Sequence, residues 1–116
     1  MEFIAEIGLN HNGNKVLRQE LIRQASIAGA NFAKFQLGWR EKKDEINYLD
    51  KEAIKSILDI CDIYGIEPMF SIFHKKALNL LKSVTQTLSV VKIASRTLSD
   101  NIEFCFELKN NFKRVI

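Results

Sequence analysis

Proline occurs once and glycine five times in 116 residues, too little of either for a collagen-like, low-complexity or disordered chain. Cysteine occurs only as Cys61 and Cys105, with no Cys-x-x-Cys or Cys/His spacing. Neither a disulfide nor a structural zinc site is expected, and both thiols are read as buried and free within apolar helical patterns. No apolar run approaches the roughly 20 residues that cross a bilayer, and the amino terminus is strand-like rather than basic-then-apolar. A cytoplasmic protein with no membrane partner is therefore expected. Charge of one sign is also lacking: 17 Lys and Arg against 14 Asp and Glu leave a formal net charge of +3, with both signs mixed along the chain. The most basic stretches, Lys75–Lys76 and Lys113–Arg114, are too short for a nucleic-acid footprint, so no nucleic acid is expected as a partner and a small anion suits the balance better. What remains, 47% apolar and 27% charged residues, is an ordinary globular composition, and residues 1–116 read as one small domain or part of a larger one.

The pattern along the chain is strand, turn, helix, repeated. Glu2–Ile7 reads as a strand, Asn10-His11-Asn12-Gly13 as a turn, and Leu17, Leu21, Ala25 and Ala28 as the apolar positions of a helix closed by Gly29. Asn31–Gln36 is the second strand, followed by a polar loop with Gly38, Trp39 and Arg40. Asp50 then caps a helix whose stripe is Ile54, Ile57, Leu58 and Cys61, with Gly65 at its end. Ile66–Ile72 is a third strand before a helix containing Ala77, Leu78 and Leu81. Ser89–Ala94 is a fourth, with the continuous apolar run of a sheet covered on both faces. A helix starting at Asp100 and running through Ile102, Cys105 and Phe106 leads to a fifth, Lys113–Ile116. Alternation of this kind calls for a parallel sheet with helical crossovers. The fold class is α/β, about four and a half (β/α) units, which is either an open doubly wound sheet or half of a TIM-type barrel. No GxGxxG follows the first strand and no GxxxxGK[ST] is present, so nothing supports dinucleotide or P-loop binding.

Polar residues gather where strands end: Glu6, Lys34, Gln36, Ser71, Lys92 and Ser95, the binding rim of parallel α/β folds. Lys34 and Lys92 are the sharpest, because each interrupts an apolar strand where an unpaired ammonium is costly to bury. Two answers stand. One is a phosphate or carboxylate ligand held by both lysines with the Ser95 hydroxyl as a further donor; the other is an internal ion pair with a carboxylate such as Glu6, or a lysine that snorkels to the rim. Glu6 reads either as a general acid/base or as that counter-ion. His11 reads as a hydrogen-bond donor to a ligand, as a metal ligand or, more often for a lone loop histidine, as solvated; Asn10 and Asn12 serve the turn or reach a ligand. Arg40 reads as part of a solvated face, Trp39 as a cover for a ligand or, more often, as packed on the rim, and His74 as a position usable for chemistry or, more often, as a helix cap.

Three motifs, taken together, resemble the sialic acid synthase family: Phe3-Ile4-Ala5-Glu6-Ile7-Gly8-Leu9-Asn10-His11-Asn12-Gly13, then Ala28-Gly29-Ala30 leading into Lys34-Phe35-Gln36, and Val91-Lys92-Ile93-Ala94-Ser95. They stand in the family's order and spacing and correspond to the amino-terminal half of its catalytic barrel. The resemblance implies condensation of phosphoenolpyruvate with an N-acylated amino sugar, such as N-acetylmannosamine, to a sialic or related nonulosonic acid with release of phosphate. It implies phosphoenolpyruvate contacts from Lys34, Lys92 and Ser95, with Gln36 beside that ligand, an acidic active-site role for Glu6, and a place next to the sugar for Asn10 and His11. A divalent metal, manganese or magnesium, is also implied, with ligands from the second half of the family's barrel and none nameable in this chain. The sequence departs from the family where Ser71-Ile72-Phe73-His74 replaces Thr-Pro-Phe-Asp and where Arg96 replaces glycine.

Two expectations follow. The chain is the amino-terminal half of such a synthase, or it is a half barrel that binds an anion or a partner without catalysis. In the second case its open edges and inner face require a homo-oligomer or a complementary second half.

Overall fold

Four short polar side chains set where the main helices begin. In the computed structural model, which describes residues 1–116, Asn14 accepts from the Leu17 N–H at 2.9 Å and Asp50 from that of Ala53 at 2.8 Å. His74 Nδ1 accepts from Ala77 N–H at 3.2 Å, and Asn101 from Phe104 N–H at 3.1 Å. Each satisfies a donor that the first helical turn cannot. The elements, in chain order, are β1 (Ile4–Gly8), α1 (Lys15–Ile27), β2 (Phe32–Leu37), α2 (Lys51–Tyr64), β3 (Glu67–Ile72), α3 (Lys75–Lys82), β4 (Val90–Lys92), α4 (Ser95–Asp100), α5 (Ile102–Asn111) and β5 (Arg114–Val115). Gly65 ends α2 in the left-handed region at φ 65°, which glycine adopts without steric cost.

The five strands are parallel and lie in the order β1-β2-β3-β4-β5. A doubly wound sheet reverses its order at a switch point; these five strands run in sequence order without a reversal. The α/β class and the (β/α) repeat are as expected, and the sheet is compatible with half a barrel.

Side-chain alternation separates two faces. Ile7, Ala33, Phe35, Leu37, Phe70, Ile72 and Val91 pack with Ile22, Ile54, Ile57, Cys61, Leu78, Leu81 and Leu108 of the helices in one core. A fully buried Phe, Ile or Leu of this kind contributes about 1.5–3 kcal/mol. On the other face Phe32, Met69 and Val90 form a separate small cluster that includes no helical residue. The expectation of helices on both faces is thus corrected: the helix layer covers one face, and the apolar run at β4 reflects a small inner cluster on the other.

Two helices differ from their expected phase. In α1 the inward positions are Arg18, Ile22 and Ala25, while Leu17 is 37% exposed; the stripe is shifted by one residue from Leu17 and Leu21. The helix expected from Asp100 is α5, which begins at Ile102 with its phase set by the capping side chain of Asn101, and a short helix that the sequence did not suggest, α4, precedes it. Phe104, Cys105 and Leu108 consequently point inward, and Ile102 and Phe106 are 53% and 59% exposed. No helix is long and apolar enough to cross a membrane.

Candidate functional site

The face without helices carries the polar residues. Strand register places Gln36, Ser71 and Lys92 side by side on β2, β3 and β4, and Glu6 beside Lys34 on β1 and β2 two residues nearer the strand starts. Neighbouring strands lie about 4.8 Å apart, and two residues along a strand span about 6.6 Å, so these five side chains occupy one small field. Below it sit Phe32, Met69 and Val90. Apolar residues at the strand starts and polar ones toward the carboxyl ends is the arrangement that places chemistry at the rim.

β1 is locally irregular where it enters this field. Its register slips between Glu6 and Gly8, and Gly8 has φ +55°. A Cβ on Gly8 would stand 3.4 Å from Glu6 Oε1 and 3.7 Å from Gln36 Nε2, so the carboxylate and the amide converge on this glycine. A bulge at a strand end is a common means of re-aiming a side chain.

The two lysines have different partners. Lys34 is buried and its ammonium pairs with Glu6, whose side chain is 55% exposed. Lys92 is half-buried, donates to its neighbour's carbonyl at Ile93 at 3.0 Å, and has no carboxylate within 4.0 Å. The internal ion pair is therefore realised at Lys34 and not at Lys92. The Lys92 ammonium keeps two further N–H donors beyond the one given to Ile93 O. Ser95 is exposed at the first position of α4, three residues beyond Lys92, and Asn10 is exposed in the turn after β1. Ser71, only 4% exposed at the centre of the row, is the residue the sequence undervalued; the signal that marks it is its register between Gln36 and Lys92, which a single strand does not display.

His11 lies elsewhere. It is fully buried, its ring is 6.1 Å from that of Phe35 on the helix side, and its Nδ1 accepts from Gly13 N–H at 3.1 Å. That corrects the solvated-loop reading and separates His11 from the row on the opposite face. With Nδ1 accepting, the neutral ring carries its proton on Nε2, which is buried without a partner. Burial first, and the nearby Arg18 charge second, push its pKa below the usual histidine value. His74 caps α3 as expected and also holds Gly38 O through Nε2 at 3.1 Å. Trp39 packs on Phe73 with ring centres 5.4 Å apart. Arg40 lies 3.7 Å from Glu45, and Arg96, where the sequence departs from the motif, is exposed beside Asp100 at 3.7 Å. A hollow of about 260 Å³ bordered by Gly38, Arg40, Tyr48, His74 and Lys76 lies on the helix side of the rim.

No group of three or more His, Cys, Asp or Glu side chains is placed to hold a metal ion. For the divalent metal that the resemblance implies, this chain offers no ligand set of its own.

A solved structure with the same architecture is that of the N-acetylneuraminic acid (sialic acid) synthetase from Leptospira borgpetersenii serovar Hardjo-bovis in complex with citrate. It superposes with a TM-score of 0.78 at 28% identity, over 94% of this chain. The chain spans 41% of that protein's length. No family model matches, and neither does any curated protein sequence.

Proposed function

We propose that this chain supplies the phosphoenolpyruvate-binding half of a sialic acid synthase-type barrel. The observation that carries the reading is the row Gln36–Ser71–Lys92 with Lys34 and Glu6 beside it, on the sheet face left free of helices. The likeness to the Leptospira synthetase supports it.

In this reading Lys92 and Lys34 hold the phosphate and carboxylate of phosphoenolpyruvate through charge-assisted hydrogen bonds, and Ser71, Ser95 and Gln36 complete the donor set. As the anion arrives, Lys34 is shared between it and Glu6. Glu6 then orients or deprotonates the water that adds to the enol phosphate carbon as the enol methylene attacks the aldehyde of an N-acylated amino sugar. Phosphate leaves on collapse of that adduct, and holding the two reactants together removes much of the entropic cost. Asn10 contacts the sugar from the turn, and His11 acts as the buried post of that turn. The test is phosphoenolpyruvate binding by calorimetry, alongside phosphate release with N-acetylmannosamine and manganese. Lys92→Ala is expected to weaken binding roughly tenfold or more; unchanged affinity in that variant sinks the reading.

A second reading, a half barrel that binds a partner without catalysis, is favoured by the apolar residues exposed at the two outer strands. Phe3 and Ile4 at β1 and Ile116 beyond β5 are 59%, 38% and 41% exposed. It predicts association through the strand edges, and a strictly monomeric protein at high concentration counts against it.

A further inference from the structure

Arg18 is the only buried arginine, 6% exposed in the first turn of α1. Its Nε is buried with no hydrogen-bond partner, and no carboxylate lies within ion-pair distance. The other buried cation, Lys34, has Glu6. Leaving that buried Arg18 N–H donor without a partner is costly. The acid whose charge reaches it, Asp50, is already committed to the Ala53 N–H as the cap of α2. Arg18 borders a groove of about 580 Å³ between α1 and the start of α2, together with Lys15, Gln19, Tyr48, Asp50 and Ser56. Lys55 on the 14-residue α2 borders the same groove, while the amino terminus of that helix is already met by the Asp50 cap and by Glu52 in its first turn.

We propose that this groove is a second oxyanion site, on the helix side and separate from the strand-end row, in which the Arg18 fork holds the phosphate or carboxylate group of a small hydroxylated molecule. The planar guanidinium suits a two-oxygen anion, and Lys15 adds charge from the same helical turn. Asp50, Glu52 and Asp59 border the groove as well. They disfavour polyanions and select a ligand with one anionic group and hydroxyl donors for the acids. His11 reports on occupancy, because the Arg18 charge opposes its protonation and a bound anion cancels part of that effect.

The experiment is a titration with inorganic phosphate against chloride at equal ionic strength, followed by NMR at the Arg18 Nε–H, the His11 ring and the amides of residues 15–19 and 50–53. A saturable shift with phosphate alone is expected, retained in Lys92→Ala and weakened roughly tenfold or more in Arg18→Gln, read at the amides and His11. Three results overturn the proposal: a shift that chloride reproduces, one that disappears in Lys92→Ala and so belongs to the strand-end row, or one that Arg18→Gln leaves unchanged. Should Arg18→Gln fail to fold, Arg18→Lys is read in the same way, since it keeps the charge and loses the fork; full retention of affinity there also overturns the assignment.

Discussion

Glu6 and Lys34 stand at one register position on neighbouring strands and their side chains form an ion pair, the lysine buried and the carboxylate about half in solvent. The asymmetry decides what each partner's loss does. Glu6→Gln leaves a buried ammonium without its counter-ion, whereas Lys34→Met leaves a carboxylate that water already reaches and fills the lysine's site with apolar volume. Because the carboxylate is exposed, the cost of Glu6→Gln is discounted to about 1–2 kcal/mol. Urea denaturation is expected to rank the two variants in that order, with Lys34→Met nearer to wild type.

The His11 ring gives a pH dependence of defined sign. Burial and the Arg18 charge lower its folded-state pKa below 6.5, so the unfolded chain takes up the proton first as pH falls. The contribution to stability is complete above pH 6.5 and is lost progressively as pH falls toward the folded-state pKa, with a slope of at most about 1.4 kcal/mol per pH unit from this group. Thermal unfolding of wild type and His11→Gln between pH 5 and 7.5 is expected to show a shallower slope in the variant. Equal slopes would assign the effect to other groups.

Two glycines with similar backbone angles respond differently to a methyl group. Gly13 and Gly29 have φ +69° and +83°, but a Cβ on Gly13 meets the carbonyl of Ile46, while one on Gly29 meets nothing within 4 Å. Gly29→Ala therefore costs only the left-handed backbone strain, about 1–2 kcal/mol. Gly13→Ala costs that and a displacement of the loop after β2, and a larger fall in Tm is expected for it than for Gly29→Ala.

The strands and the caps at Asp50 and His74 were legible because their signals are local, whereas the caps at Asn14 and Asn101 and the short α4 were not read from the sequence. Asp50 and Gly65 bound α2 as the sequence implies, and each expected strand is present within one or two residues of its place. Strand order is not a local property: periodicity in β2 does not say whether β1 or β3 lies beside it, so the unreversed strand order and the position of Ser71 appear only with the register. Arg18 escaped because an arginine at an inward helical position contradicts the apolar pattern, and Leu17 beside it offers the pattern a plausible substitute. His11 escaped for a related reason, since an Asn- and Gly-rich turn looks solvated until Phe35 and α1 close over it. The charged positions at the strand ends were legible where a lysine broke an apolar strand, as at Lys34 and Lys92, but which of the two has an internal counter-ion depends on the neighbour across the register.

His74 joins two elements with the two nitrogens of one ring, and its variants separate those roles. Nδ1 accepts from Ala77 N–H at the start of α3, and Nε2 donates to Gly38 O in the loop after β2. His74→Ala removes both and is expected to cost about 1–2 kcal/mol. His74→Asn restores a side-chain acceptor suited to the cap but is too short to hold Gly38, so stability is expected to recover in large part. The loop is then read independently by Trp39, the sole tryptophan, which packs on Phe73 one residue before His74 and follows Gly38 directly. Its fluorescence is expected to shift toward the solvent-exposed wavelength in both variants. If His74→Asn restores the spectrum along with the stability, the cap alone holds the loop and the Gly38 contact contributes nothing to its position.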